Sequence, residues 1–188
     1  MDVPAGGGFP EGRIGIWAYN SFSTGALPMS LDRVTLSMAS GLAGSTGFSL
    51  DLMSDAGGVP GASLIALAGN SAPVSSGLYD YAPAGSFTLQ AATTYWLHAR
   101  IVPEGSPTAT DLRSFGISAT SDISEAGLPG WSIADQSRRD EVTLDSFGPS
   151  PGIPLQFAVN ATLVPEPGTA VLAIFACGLM WALRRRFK

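Results

Sequence analysis

Thiols, imidazoles and amines are almost absent from this sequence. Its 188 residues hold one cysteine (Cys177), one histidine (His98) and one lysine (Lys188). A single cysteine excludes an intrachain disulfide and a cysteine-based zinc centre. A lysine confined to the last position leaves none in the body for a phosphate-binding loop or a Schiff base. Charge is scarce too, at 13% of residues. No repeat of fixed period is evident, and no long amphipathic helical pattern precedes the last 25 residues.

The charge that exists is divided unevenly. Residues 1–164 carry six arginines against fourteen acids, a balance of −8, and the remainder carries four basic residues against Glu166, a balance of +3. An acidic body lacks the basic face through which proteins release counterions from nucleic acid, so no nucleic-acid partner is expected.

What is abundant is glycine (23), proline (14) and apolar side chains (45%). Short β-forming runs alternate with turn residues. Arg13–Tyr19, Arg33–Met38, Phe48–Met53, Leu64–Ala68, Tyr79–Tyr81 and Ser86–Leu89 are expected strands. Tyr95–Val102, Phe115–Ala119, Trp131–Ala134 and Leu155–Leu163 continue the series. Alternation puts Val34, Leu36 and Met38 on one face, and Phe48, Leu50 and Leu52 on another. Ser54–Gly61, 104–110 and 146–154 read as loops. About ten short strands predict an all-β fold, an antiparallel, jelly-roll-like β-sandwich over residues 13–163. Residues 1–12 are expected to be a disordered lead-in. Met1–Gly8 has neither the positive nor the apolar region of a secretory signal peptide.

The tail, residues 164–188, is of another class. Pro167–Leu183 is 17 residues without a charge, followed by Arg184, Arg185 and Arg186. As a helix it would span roughly 25 Å, and the arginines can snorkel to complete the crossing. Positive charge after the span predicts a cytoplasmic C-terminus, with the body on the other side. Pro165 and Pro167 keep the preceding segment extended.

Pro165-Glu166-Pro167, the short apolar helix and the terminal arginine cluster together resemble the PEP-CTERM sorting domain of exosortase-bearing bacteria. The resemblance implies recognition of Pro165, Glu166 and Pro167 by a membrane-embedded exosortase, with Arg184, Arg185 and Arg186 orienting the tail. It further implies an inner-membrane precursor with its body in the periplasm, cleavage, and delivery to the cell surface or matrix. That family is associated with extracellular polysaccharide and biofilm. Two stretches of the body, Phe48–Gly61 and Phe87–Leu97, with Trp131-Ser132-Ile133 as a weaker third, are similar to choice-of-anchor β-sandwich domains. Those domains imply a fold and a location, and no established activity.

Candidate chemistry in the body is sparse. Gly148-Pro149-Ser150-Pro151-Gly152 matches the G-x-S-x-G pattern of serine hydrolases, but the flanking prolines oppose the strand–turn–helix geometry that the reaction needs. His98 lies in an expected strand and reads as a sheet histidine rather than a ligand. Asp51 and Asp55 flank the Gly-rich loop and are the candidates for a Ca²⁺ site built from oxygen ligands; Asp135, Asp140, Glu141 and Asp145 form a second acidic group. Neither has EF-hand spacing. Tyr79 and Tyr81 share one strand face and are the candidate platform for stacking on sugar. The expectation is a non-enzymatic exported surface protein, with no cofactor beyond Ca²⁺, associated with adhesion or exopolysaccharide. The alternative is a secreted carbohydrate-active sandwich enzyme or carbohydrate-binding module, which as an enzyme would need a facing pair of carboxylates.

Overall fold

The computed structural model describes residues 17–40, 47–101, 116–117, 128–139, 148–150 and 155–164. These form eleven strands: β1 (Trp17–Ser23), β2 (Met29–Ser40), β3 (Phe48–Asp55), β4 (Pro60–Gly69), β5 (Gly77–Pro83), β6 (Thr88–Leu89), β7 (Thr94–Ile101), β8 (Gly116–Ile117), β9 (Ser132–Arg139), β10 (Gly148–Ser150) and β11 (Phe157–Leu163). Among the described residues there is no helix, and so none long and apolar enough to cross a membrane. The sorting motif, the apolar stretch and the arginine cluster lie outside the described residues, as do residues 1–12.

All pairings are antiparallel, in the order β10-β9-β1-β7-β3-β4-β5-β2-β11, with β6 and β8 also pairing to β2. The sheet turns back over its own inner face, which makes the fold all-β and sandwich-like. Phe22 of β1 meets Phe157 of β11 edge-on at 6.3 Å between ring centroids, and Phe48 of β3 meets Tyr81 of β5 at 5.5 Å. Such tilted contacts suit the ring quadrupoles better than face-to-face stacking would. Around them Leu36, Leu50, Leu52 and Leu89 are almost wholly withdrawn from water.

Period-2 alternation explains most of this core. Phe48, Leu50 and Leu52 face inward from β3, and Tyr95, Leu97 and Ala99 do so from β7. On β2 the pattern changes phase: Met29 and Leu31 are buried, then Val34, Leu36 and Met38. The phase change is a β-bulge. Asn160 pairs with Arg33 while the next residue, Ala161, pairs with Leu31, leaving Asp32 as an extra residue on β2. The bulge lets one strand keep both apolar sets toward the core.

The expected loop at Ser54–Gly61 is tighter than its composition suggests, since β3 runs to Asp55 and β4 begins at Pro60. Gly57 and Gly58 take φ values of 79° and 87°, open to glycine at no steric cost. Both donate backbone N–H groups to the Asp55 carboxylate, at 3.1 and 3.0 Å. The segment expected to be a loop at 146–154 contains β10, which pairs Gly148–Ser150 with Arg138–Gln136 of β9. Proline is accommodated at an edge position, and β10 stands at one end of the order of the described strands.

Candidate functional site: a buried ionisable array on the outer sheet face

Strands β1, β7 and β3 lie side by side, and their register places Tyr19 opposite His98 and His98 opposite Asp51. Alternation turns all three away from the apolar core, onto the other face of the sheet. They are nonetheless buried, with exposures of 5%, 6% and 6%, and Trp96 beside them is 4% exposed. Burying polar groups on that face requires partners.

The partners follow from cross-strand geometry. The His98 imidazole stacks flat on the Tyr19 ring, with centroids 4.2 Å apart and planes 10° from parallel. Asp51 pairs diagonally with Arg100, whose Nη2 lies 3.0 Å from Oδ2. Arg100 Nε donates to Ser49 Oγ at 3.2 Å. His98 Nδ1 is 4.0 Å from Asp51 Oδ2, beyond hydrogen-bond reach. Burial, followed by the positive charge of Arg100, lowers the His98 pKa to about 4. The imidazole is therefore neutral at neutral pH, and the charge of Asp51 is balanced by Arg100.

Farther along the same face, Trp96 Nε1 donates to Asp55 Oδ1 at 2.8 Å. That bond, helped by the Gly58 and Gly57 N–H groups, holds the Asp55 carboxyl below its ordinary value. Asp51 and Asp55, the residues considered for Ca²⁺, thus lie on one strand but engage different donors: a guanidinium for Asp51, and an indole and two amides for Asp55. Among the described residues no group of three or more His, Cys, Asp or Glu is gathered to hold a metal ion.

Tyr79 and Tyr81 do share a face of β5, but it is the core face. Tyr81 is 1% exposed, with its hydroxyl donating to the Asn70 carbonyl at 3.0 Å, and burial raises its pKa. Tyr79 packs partly buried against the core and donates to the Ser75 carbonyl at 3.0 Å. Burial withdraws Tyr81 from the stacking platform expected at this pair, and leaves Tyr79 half-buried beside it. Ser150 lies within β10 and pairs with Gln136, in extended backbone rather than a nucleophile turn. Asp140, Glu141 and Asp145 fall outside the described residues, and for Asp135 only the backbone, in β9, is described.

Neither Tyr19 nor Arg100 stands out in the sequence as a partner of His98. Arg100 follows His98 by two residues on β7, so alternation alone puts the two on one face, but only the pairing register brings in Tyr19, from a strand about 80 residues away. In comparisons with known proteins no family model matches the chain, nor does any curated protein or solved structure. Within the array the Asp51 carboxylate is paired with Arg100, and its contacts link three neighbouring strands.

Proposed function

We propose that this chain is an exported bacterial surface protein. A jelly-roll-like sandwich body would be delivered by a C-terminal sorting tail and act without catalysis, through adhesion or association with extracellular polysaccharide. The observation that carries the reading is the order of features in the tail: Pro165-Glu166-Pro167, 17 uncharged residues, then Arg184, Arg185 and Arg186. Each part is common alone, and their sequence is what a sorting helix requires. The terminal arginines support it, since positive residues directly after an apolar span favour the cytoplasmic side and leave the body on the other. In this reading the partner is an exosortase, the precursor is held in the inner membrane with its body in the periplasm, and the product reaches the cell surface.

The test is to express the chain in an exosortase-bearing host, with Glu166→Ala and a triple Arg184/Arg185/Arg186→Ser variant alongside. Mass spectrometry of the body's C-terminus should show a mature end near Pro165 for the parent. Both variants should accumulate as full-length precursor in the inner membrane. Normal processing of both would sink the sorting claim, and a parent retained uncut would make the tail a permanent anchor.

A further inference from the structure

The β-bulge on β2 does more than keep two apolar sets in phase. Because Asp32 is the extra residue, its carboxylate is turned out of the ladder, to an exposed position beside β11. Bulges often re-aim a side chain in this way beside binding sites. Next to it is a cavity of about 300 Å³ lined by Asp32, Asn160, Ala161, Val159, Leu128 and Trp131. Its size is at the small end of ligand pockets, suited to one small ring rather than an extended chain.

We propose that this cavity binds one neutral sugar unit through its hydroxyl groups. The lining has the mixed character that such a ligand needs. Asp32 offers a carboxylate that accepts one weak bond, from Thr162 Oγ1 at 3.3 Å, and has lone pairs left for hydroxyl donors. The Asn160 carboxamide both donates and accepts, as a hydroxyl does. Leu128 and Trp131 supply apolar wall for the C–H surface of a ring, and Trp131 is held in place by Phe22, its ring stacked at 6.1 Å and 5°. Among the described lining residues the one charge is negative. A carboxylate or phosphate ligand would therefore be repelled. An ammonium group would be matched by Asp32, but it would not use the acceptor and donor of Asn160 together.

The site deepens the surface-protein reading and rests on it only for the idea that the sugar is presented as a polymer. Binding of a single glycoside in vitro depends on the cavity alone, so its failure is distinct from a failure of sorting. The full chain, ¹⁵N-labelled, is titrated with methyl glycosides of glucose, galactose, mannose and N-acetylglucosamine, and separately with tetramethylammonium. With so few polar contacts, a Kd on the order of 1 mM is expected for at least one glycoside. Shifts should centre on the Asn160 side-chain amide and the Trp131 indole N–H. Asp32→Ala and Asn160→Ala should each weaken binding at least tenfold. Asp32→Asn, which preserves shape at an exposed position, should do so while melting unchanged. No saturable shift by any glycoside up to about 50 mM, well past a millimolar Kd, would overturn the proposal. So would glycoside binding that all three variants retain, or binding of tetramethylammonium alone.

Discussion

Protonating His98 would add a positive charge beside Arg100 at a position that is 6% exposed, with the nearby carboxylate already paired. The folded protein resists that step, so the His98 pKa of about 4 lies below the unfolded value near 6.5. Between those two values the unfolded chain binds more protons than the folded one. Folding stability is then lost as pH falls from about 6.5 to about 4, and this group contributes no further loss below that. The full effect is at most about 3.5 kcal/mol. His98→Phe keeps a ring to stack on Tyr19 and removes the titration. Urea melts at pH 7 and pH 4.5 should show the parent losing more stability on acidification than the variant does. Equal losses would show that the imidazole titrates normally. The pairing behind this effect could not be read from sequence. His98 is readable as a sheet residue from its place between Leu97 and Ala99, whereas its contact with Tyr19 depends on which strands neighbour one another.

Strand β4 passes close to β5 at Gly69, which pairs with Tyr81. A Cβ added there would run into the Tyr81 ring and come within 2.6 Å of the Asp80 carbonyl oxygen. The ring cannot retreat, because its hydroxyl is tethered to Asn70 and its face packs on Phe48. Gly69→Ala should therefore destabilise the protein by about 1–3 kcal/mol through overpacking. Gly85→Ala, where nothing lies within 4 Å of the added carbon, should shift stability by no more than about 0.5 kcal/mol. Thermal melts of the two variants decide it, and equal melting points would deny the close approach. At this scale the sequence was informative where alternation is unbroken, as at Val34, Leu36 and Met38 or Phe48, Leu50 and Leu52. It was silent where a bulge changes phase: nothing in Leu31-Asp32-Arg33-Val34 announces that Asp32 is the inserted residue. The cavity beside it was hidden for the same reason. The β10 segment looks like a loop in sequence because prolines suppress strand signals, although a strand at the end of the order tolerates them.

Across the whole molecule, sequence neighbours are seldom the partners that matter. β1 pairs with β7 and β9, and β2, near the start, pairs with β11, the last strand before the tail. Asn20 Oδ1 on β1 accepts the Leu155 N–H at 2.9 Å, fixing the chain as it enters β11. Leu155, Phe157 and Val159 are all buried, at 6%, 2% and 4% exposure. Burying each such side chain contributes roughly 1.5–3 kcal/mol. Together they approach the net stability of a typical domain, about 5–15 kcal/mol. A chain ending at Gly152 should therefore lose its cooperative melting transition, because Val34, Leu36 and Phe22 would be uncovered at once. A chain ending at Val164 keeps every described strand, including the Val164 N–H bond to the Pro28 carbonyl at 3.5 Å. It should melt within about 2 °C of the parent, since the cut removes none of the described strands. Circular dichroism of the two truncations checks this. The boundary also bears on function, because the proposed recognition motif starts at Pro165, one residue beyond that last contact. Cutting there would release a body whose final strand is already locked in place. Loss of cooperative melting in the longer truncation would mean that the tail supports the fold, and cleavage near Pro165 would then destroy what it delivers.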